Sequence, residues 1–367
     1  SVQDALLFRF RLIIPAFFCI FEKRNQQTAN TMKKLLLLLA LCCVCGTITA
    51  QNTKPQAVIF ETDMGNDIDD AMALDLLFKN MDQGNINLLA VSVHKNNPHS
   101  AEYIDIMRNW YGYKKMPIGV NTGCVTDMDC VDYCTKVCQL TDEQGKPLFK
   151  RSKNPKYEEA VEMYRRILSK QDDKSVVIIT VGFSTTMAQL LQSQPDKYSP
   201  LSGEELVAKK VKYFSIMAGE FVRENYREYN VWNDLEAAKY FFDKTPIPMV
   251  IVPWTLGDQI QYPGSSIAND FAWCEANPMV EGYKAYLQMP YDRPTWDVIS
   301  AFYACHPDHK AFTLSRKGEV KVVGKGVTEW RDDDNGRYQI LIPDEAQRQQ
   351  ILDYFVETLT TKPKKMK

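Results

Sequence analysis

Four aspartates lie within eight consecutive residues, a spacing that suits the binding of a cation. The stretch reads DMGNDIDD from Asp63 to Asp70, and no basic residue follows it before Lys79. Carboxylates this close repel one another, and their pKa values rise unless a positive charge lies among them. A hard divalent cation with oxygen ligands removes that repulsion, whereas complementing a helix dipole accounts for only one or two of the acids. Because the offsets of the glycine and of a distal glutamate do not fit an EF-hand loop, the stretch predicts a divalent-ion site of another kind.

The acidic stretch directly follows an apolar run that predicts a buried strand. Ala57–Thr62 has the apolar and β-branched composition of a strand, and Ala71–Lys79 has helical apolar spacing. Further strand-like runs lie at 86–93, 116–120, 175–181, 211–217 and 247–252, and helical segments separate them. Ligands of parallel sheets bind outside the carboxyl ends of the strands. The residues directly after each strand are therefore the candidates for a functional site.

The alternation of strands and helices predicts an α/β fold with an open, mostly parallel sheet and helices on both faces. The sequence shows no internal repeat and no linker, so we expect a single domain. Two runs at 319–323 and 337–342 flank an Asp-Asn-Gly turn and predict a C-terminal hairpin, and 344–359 predicts a final helix. The polar stretch 123–151 shows no periodicity and predicts a loop.

The segment ETDMGNDIDDAMAL at 61–74 resembles the N-terminal fingerprint of the nucleoside hydrolases of the inosine/uridine-preferring type, D-x-D-P-G-x-D-D-A-x-A-L. Glu61 takes the first acidic position, Met64 takes the proline position, and two extra residues precede Asp69. Other segments match in the family's order: Asn96 in VSVHKNN, Gly182 and Thr185 in VGFSTTMAQLL, Met217 in SIMAG, Glu228, Asn230 and Asp234 in REYNVWNDLEAA, and Asp297 in RPTWDVISAFYA. The resemblance covers roughly 57–305.

The resemblance implies Ca²⁺-dependent hydrolysis of the N-glycosidic bond of ribonucleosides. By match, Asp63, Asp70, Asp297 and the backbone carbonyl of Thr185 hold the ion. Asp63 takes the proton from a water that the ion positions and activates, and the sugar passes through an oxocarbenium-like state.

The resemblance also implies the substrate contacts. Hydrogen bonds to ribose hydroxyls are expected from Asp69, Asn96, Glu228 and Asn230, while Met217 is either a core residue or the pocket floor. Ordinary structural roles stay open for several matched positions, namely a turn for Asn96, a helix cap for Thr185, a solvated loop for Glu228 and Asn230, and a helix N-terminus for Asp297.

Trp296 departs from the family pattern. Many members carry a histidine there, which acts as the acid for the departing base, and none of the histidines of this chain falls on the match. A tryptophan donates no useful proton but can stack on a base, unless it is a core aromatic turned away from the site. Either another group, such as Tyr226, Tyr229 or His94, protonates the base, or the base departs with little assistance.

Two other functions stay open beside nucleoside hydrolysis. A Ca²⁺-dependent ribose- or nucleoside-binding protein without turnover is compatible with Trp296, and so is a hydrolase of another ribosylated metabolite. The expected partner in each case is a small molecule, with a homo-oligomer left open. Lys+Arg (44) and Asp+Glu (46) nearly balance, giving a net charge of −2, so no electrostatic feature points to nucleic acid or a membrane surface.

The sequence from Met32 has the features of a secretory signal peptide. Lys33 and Lys34 give a positive start, Leu35–Cys45 is a short apolar run, and Ala50 is a small residue suited to cleavage before Gln51. We therefore expect a signal peptide at 32–50, a periplasmic or secreted product, and a domain at 51–367. The segment 1–31 precedes this start and is not expected in the native product.

Six of the ten cysteines lie beyond the predicted signal peptide. Four of them, Cys124, Cys130, Cys134 and Cys138, are clustered. In an exported protein such a cluster forms disulfides or stays as free thiols. The spacing is not that of paired C-x-x-C motifs, which disfavours a metal site, and the pairing is not determined by the sequence.

Overall fold

The structure, a computed structural model, describes residues 54–123 and 131–366. Its centre is a ten-stranded sheet, accompanied by a separate two-stranded sheet. The strands are β1 (Gln56–Thr62), β2 (Ile86–Val93), β3 (Ile118–Val120), β4 (Glu158–Glu159), β5 (Val176–Thr180), β6 (Val211–Met217), β7 (Met249–Val252), β8 (Gln261–Tyr262), β9 (Arg293–Pro294), β10 (Gly318–Val323), β11 (Val327–Asp332) and β12 (Tyr338–Ile340). The large sheet has the order β11-β10-β12-β7-β6-β5-β1-β2-β3-β4, and β8 pairs with β9.

The large sheet is parallel from β4 to β12, and β10 runs antiparallel to both of its neighbours, β11 and β12. β1 pairs with β5, while the chain continues from β1 to β2 on one side and from β5 to β6 on the other. The strand order therefore reverses between β1 and β5. A crevice forms at such a switch point, outside the carboxyl ends of the strands.

Helices cover both faces of the sheet. They are α1 (Asp69–Gln83), α2 (Ser100–Tyr111), α3 (Tyr133–Cys138), α4 (Ala160–Leu168), α5 (Thr185–Gln192), α6 (Gly203–Lys210), α7 (Tyr229–Asn233), α8 (Leu235–Lys244), α9 (Trp254–Gln259), α10 (Gly264–Asn269), α11 (Pro278–Tyr286), α12 (Trp296–Cys305) and α13 (Glu345–Leu359), and a 3₁₀ turn follows at Lys364–Met366. Strand side chains alternate between the faces, so Val58 and Phe60 pack with α1 and α12, while Ile59 packs with α4 and α5. The predicted α/β class with a mostly parallel sheet is confirmed.

The C-terminal antiparallel pairing is present and contains one strand more than predicted. β10 forms a tight hairpin with β11, across a turn in which Gly324 and Gly326 adopt φ values of 54° and 106°. The predicted partner, β12, also pairs antiparallel with β10, at Gly318 and Tyr338, and on its other side it extends the parallel sheet beside β7. Sequence patterning missed β11 because VTEWRD is a polar strand at the sheet edge, where only one residue is buried.

The stretch predicted as a loop at 123–151 contains the short helix α3. Asp132 caps it by accepting a hydrogen bond from the Thr135 N–H at 2.9 Å, and six residues are too few to show a helical period. Cys134 and Cys138 lie on this helix as buried free thiols. Cys124 and Cys130 lie outside the described residues, so their state stays a prediction.

The predicted signal peptide and the segment before it also lie outside the described residues. Within 54–123 and 131–366, no helix has the length and apolar character that crossing a bilayer requires.

Candidate active site

A cavity of about 230 Å³ opens beside the carboxyl ends of β1 and β5. Most of the residues predicted from the sequence line it: Asp63, Asp69, Asp70, Met217, Glu228, Asn230, Trp296 and Asp297. Asn66, Asp67, Val181, Tyr229 and Trp254 complete the wall. One side of the cavity is therefore acidic, and another is aromatic.

The turn after β1 aims its carboxylates into the cavity through a network of short-range hydrogen bonds. The Thr62 hydroxyl donates to Asp70 Oδ1 and accepts the Met64 N–H at 3.0 Å. Gly65 adopts a φ of 106°, and a Cβ there would lie 3.0 Å from Ser100 Oγ. Only glycine fits that conformation and that space without strain. The turn lets α1 start at Asp69, so that Asp69 and Asp70 are in its first turn.

Asp297 reaches the same cavity from a distant part of the chain. It lies in the first turn of α12, and its N–H donates to Asp69 Oδ2 at 3.0 Å. This bond joins the starts of α1 and α12. The structure thus brings together the aspartates that the sequence places 228 residues apart.

The acidic side holds several buried carboxyl groups that disfavour one another's ionised forms. Burial raises the pKa of Asp63, and burial together with the neighbouring carboxylates raises those of Asp70 and Asp297 well above the ordinary range. Among the described residues, Asp63 Oδ2 and Asp70 Oδ2 are buried without a hydrogen-bond partner. Two orphaned carboxylate oxygens facing one cavity fit a hard cation, which prefers such ligands.

Glu61 and His94 form a buried hydrogen-bonded pair next to the acidic turn. His94 Nδ1 donates to Glu61 Oε1 at 2.8 Å, and Nε2 accepts the Phe183 N–H at 2.7 Å. A Cβ at Gly182 would lie 2.5 Å from His94 Nε2 and 2.8 Å from Asp63 Cβ, so the ends of β1 and β5 approach this closely only across a glycine. Because His94 is fully buried with both ring nitrogens engaged, it is not placed to protonate a ligand in the cavity.

Glu228 and Asn230 are buried on the rim of the cavity rather than lying in a solvated loop. Glu228 caps α7, and its carboxylate accepts the N–H groups of Gly219, Asn230 and Val231 at 2.9–3.2 Å. Burial raises its pKa to about 7 despite these bonds. Asn230 Nδ2 donates to Val181 O at 2.9 Å. Both side chains therefore have structural partners, each retains further oxygen lone pairs, and both residues line the cavity.

The aromatic wall consists of Tyr229, Trp254 and Trp296. The indoles of Trp254 and Trp296 lie 6.1 Å apart at 33°, and the Trp296 N–H donates to Trp254 O at 2.7 Å. Trp296 is therefore not a core aromatic turned away from the site. Arg293 lies 5.3 Å from the Trp296 ring and pairs with Asp67, which belongs to the two extra residues of the acidic stretch.

Two predicted residues are not among those that line the cavity. Asn96 is exposed after β2. Thr185 is buried at the start of α5, where its hydroxyl donates to Asp234 Oδ2. Their roles as substrate contact and ion ligand stay predictions.

Trp254 and Val181 are cavity residues that sequence reasoning missed. Val181 directly follows β5, and Trp254 follows β7 after a single proline. Asp63 was predicted because it follows a parallel strand directly. The same rule applied to β5 and β7 points to Val181 and Trp254. No sequence signal could have revealed the Asp67–Arg293 pair, since its members are 226 residues apart.

A second group of ligand-type side chains lies outside the cavity. Atoms of His99, Glu102 and Cys138 lie within 4.8 Å of one another. The Glu102 carboxylate already pairs with Arg151 and with His99. Its charge is therefore balanced, and the group offers no unpaired carboxylate oxygen comparable to those of Asp63 and Asp70.

Comparisons with known proteins agree with the geometry. Residues 58–353 match the family model described as inosine-uridine preferring nucleoside hydrolase. No curated protein matches the chain significantly.

Several solved structures share the fold. A plant nucleoside hydrolase aligns with a TM-score of 0.63 at 17% identity, over 84% of this chain and 100% of its own. A purine-preferring ribonucleoside hydrolase from Gardnerella vaginalis aligns with a TM-score of 0.64 at 14% identity, over 83% of this chain and 98% of its own. An inosine-uridine preferring nucleoside hydrolase from Bacillus anthracis aligns with a TM-score of 0.62 at 18% identity, over 83% of this chain and 99% of its own. At these identities the likeness shows the fold alone.

Proposed function

The chain belongs to the inosine-uridine preferring nucleoside hydrolase family and is thus a nucleoside N-glycosyl hydrolase; from that premise we propose that it cleaves ribonucleosides in a Ca²⁺-dependent reaction. The observation that carries the proposal is the cluster of buried carboxylates at the β1–β5 switch point, with the orphaned oxygens of Asp63 and Asp70. A cluster of this kind is stable when a cation neutralises it. The all-oxygen donor set favours a hard ion such as Ca²⁺ over zinc or copper.

The two sides of the cavity suit the two parts of a ribonucleoside. Ribose offers hydroxyl groups, which hydrogen-bond to carboxylate and amide oxygens, and we assign them to Asp69, Glu228 and Asn230. The base offers a flat π-face, which stacks on indole and phenol rings, and we assign it to Trp254, Trp296 and Tyr229. A substrate lacking a hydroxyl leaves buried polar groups unpaired and is rejected.

The chemistry assigned to the chain itself is proton transfer and orientation. Asp63, Asp70 and Asp297 would hold the ion, with Thr185 as the further ligand expected from the family pattern. When bound, Ca²⁺ lowers the pKa of a coordinated water. Asp63 accepts the proton of the attacking water. The bond between the anomeric carbon and the base nitrogen breaks, its electron pair leaves with the base, and the water oxygen bonds to the oxocarbenium-like anomeric carbon to give free ribose.

The proposal is tested by incubating the common ribonucleosides and their deoxyribonucleoside counterparts with the protein and Ca²⁺ and measuring the free sugar. Release of ribose from at least one ribonucleoside, and no release of deoxyribose from the matching deoxyribonucleoside, is expected. Calorimetric binding of a ribonucleoside without any release of ribose would contradict the proposal.

Trp296 predicts an unusual dependence on the leaving group. Its N–H is committed to Trp254 O, so it offers the base a stacking face and no acid. Since one general acid is worth about 10²–10⁴-fold in rate, p-nitrophenyl riboside, which needs no acid, should be hydrolysed much faster than inosine. Trp296→His should raise inosine turnover more than p-nitrophenyl riboside turnover, measured as the ratio of the two kcat values.

Trp273→His is the matched control, because that indole also donates to a backbone carbonyl, that of Thr360 at 3.0 Å, without lining the cavity. The control should leave the ratio of the two rates unchanged. An equal effect of Trp296→His on both substrates contradicts the assignment.

We also propose that the protein is exported after cleavage near Ala50. The support is the signal-like sequence at 32–50. Expression from Met32 in a bacterial host should yield a periplasmic or secreted product whose intact mass corresponds to a start near Gln51. A matched version without 32–50 should stay in the cytoplasm. A purified exported protein that retains Met32 contradicts the cleavage, and a full-length protein found only in the cytoplasm contradicts export.

A further inference from the structure

Glu220 is a buried carboxylate beside the cavity with no place in the chemistry described above. It is 1% exposed, follows β6 by three residues, and is not part of the cavity wall. A buried carboxylate is costly unless hydrogen bonds satisfy it. The hydrogen bonds of Glu220 therefore indicate which segments its buried carboxylate stabilises.

One oxygen of Glu220 folds the turn that follows it. Oε1 accepts the N–H groups of Phe221, Val222 and Arg223 at 2.7–3.0 Å. This turn places the Arg223 guanidinium 4.8 Å from the Trp254 ring and 4.6 Å from the Tyr226 ring. Tyr226 in turn packs on Trp254 with ring centroids 4.9 Å apart.

The other oxygen of Glu220 holds the start of α9. Oε2 accepts both the N–H and the hydroxyl of Thr255, at 2.8 and 2.6 Å. The backbone beside it adds a parallel bond, since Gly219 O accepts the Trp254 N–H at 2.9 Å. Trp254 is therefore fixed from the backbone side by the segment that carries Glu220.

The C-terminal hairpin locks Glu220 itself in place. The Thr328 hydroxyl of β11 accepts the Glu220 N–H at 2.9 Å and donates to the Glu220 carbonyl at 2.8 Å. Burial raises the pKa of the Glu220 carboxyl, but the bonds from Thr255 and the backbone outweigh it, and the net shift is downward. The carboxylate thus stays ionised at neutral pH and retains the full strength of its charge-assisted bonds.

We propose that Glu220 is a positioning residue: it fixes Arg223 and Tyr226 against Trp254 of the aromatic wall, and through Trp254 it sets the affinity of the site for the leaving base. This proposal rests on the proposed function, because it takes the aromatic wall as the subsite for the base. Glu220 does not touch the acidic side, so the affinity for ribose should not depend on it.

The test compares the two reaction products as ligands. Calorimetric binding of hypoxanthine and of ribose is measured with Ca²⁺ present, for the wild type and for Glu220→Gln, whose amide nitrogen cannot accept an N–H. Since hydrogen bonds to a charged group contribute more than neutral ones, the affinity for hypoxanthine should fall about tenfold or more while that for ribose stays within about twofold. For inosine, KM should rise more than kcat falls.

Matched variants separate positioning from general damage. Glu205→Gln is the control, because Glu205 also accepts a backbone N–H, that of Ser202 at 2.8 Å, but does not line or border the cavity. Thr255→Val removes one bond to Glu220 and should reproduce part of the loss, whereas Thr255→Ser keeps the hydroxyl and should restore wild-type affinity. If Glu220→Gln does not fold, the proposal is tested by comparing the hypoxanthine affinities of Thr255→Val and Thr255→Ser.

Three results would overturn the proposal: equal losses of hypoxanthine and ribose affinity, no loss of either, or a wild type that binds neither. Selective loss of hypoxanthine binding in a protein that hydrolyses no nucleoside would support Glu220 as a positioning residue and overturn only the proposed function. The two ideas therefore fail separately.

Discussion

Asp63→Asn is expected to lower kcat for ribonucleoside hydrolysis by about 10³-fold or more, since it removes both the proton acceptor and an ion ligand. Asparagine keeps the shape of the side chain but places an NH₂ or a neutral carbonyl where the structure has the buried, orphaned Asp63 Oδ2. The measurement is ribose release under saturating nucleoside and Ca²⁺. Circular dichroism should show an unchanged fold.

Asp75→Asn is the matched control. Asp75 lies on α1 with Asp70, is fully buried, and also has one oxygen without a hydrogen-bond partner, while the other accepts the Tyr111 hydroxyl at 2.6 Å. It does not line the cavity. Its replacement should change thermal stability and leave kcat near the wild-type value. A similar loss of kcat in both variants would show that Asp63 acts through stability, not chemistry.

Removal of the ion should abolish turnover and destabilise the fold together. Chelation leaves Asp63, Asp69, Asp70 and Asp297 facing one another, whereas Ca²⁺ at a hundredfold excess over its dissociation constant adds about 2.7 kcal/mol of stability by mass action. We expect loss of activity in a chelator, recovery with added Ca²⁺, and a melting temperature that rises with Ca²⁺ concentration. Recovery with Mg²⁺ but not Ca²⁺ would show that the ion is wrongly assigned.

The ion-free protein should also have an inverted pH dependence of stability. The pKa values of Asp69, Asp70 and Asp297 are raised well above the ordinary 3.8 in the folded state. The folded chain therefore binds more protons than the unfolded chain. Its stability is full at acidic pH and is lost as the pH rises through the raised values. Thermal melts in chelator should show this fall between acidic and neutral pH, and Ca²⁺ should remove it.

The sequence predicted the strands best where burial leaves a continuous apolar run. The bounds of β2 and β6 match their predictions, because both faces of a parallel sheet are covered and the pattern is unambiguous. β11 and α3 were missed because a polar edge strand and a six-residue helix carry no such pattern. Their positions depend on tertiary contacts, not on local sequence.

The candidate site was predictable to the extent that its residues follow strands. Asp63 and Met217 come directly at strand ends, and the family resemblance added Glu228, Asn230 and Asp297. Trp254 obeys the same rule but belongs to no motif that the chain shares with the family pattern. The Arg293–Asp67 pair and the bonds of Glu220 depend on distant segments meeting in space, which no local pattern encodes.

The hydrogen bond between Asp69 and Asp297 also bears on the order in which this protein folds. Its two partners are 228 residues apart, and closing so long a loop is entropically costly before other contacts have formed. Asp297 cannot join Asp63 and Asp70 until α12 has docked against α1, so a site with all three carboxylates would form only with the nearly complete tertiary structure. Bound Ca²⁺ would then lower the rate at which the folded protein unfolds, and it would not nucleate the collapse of the unfolded chain.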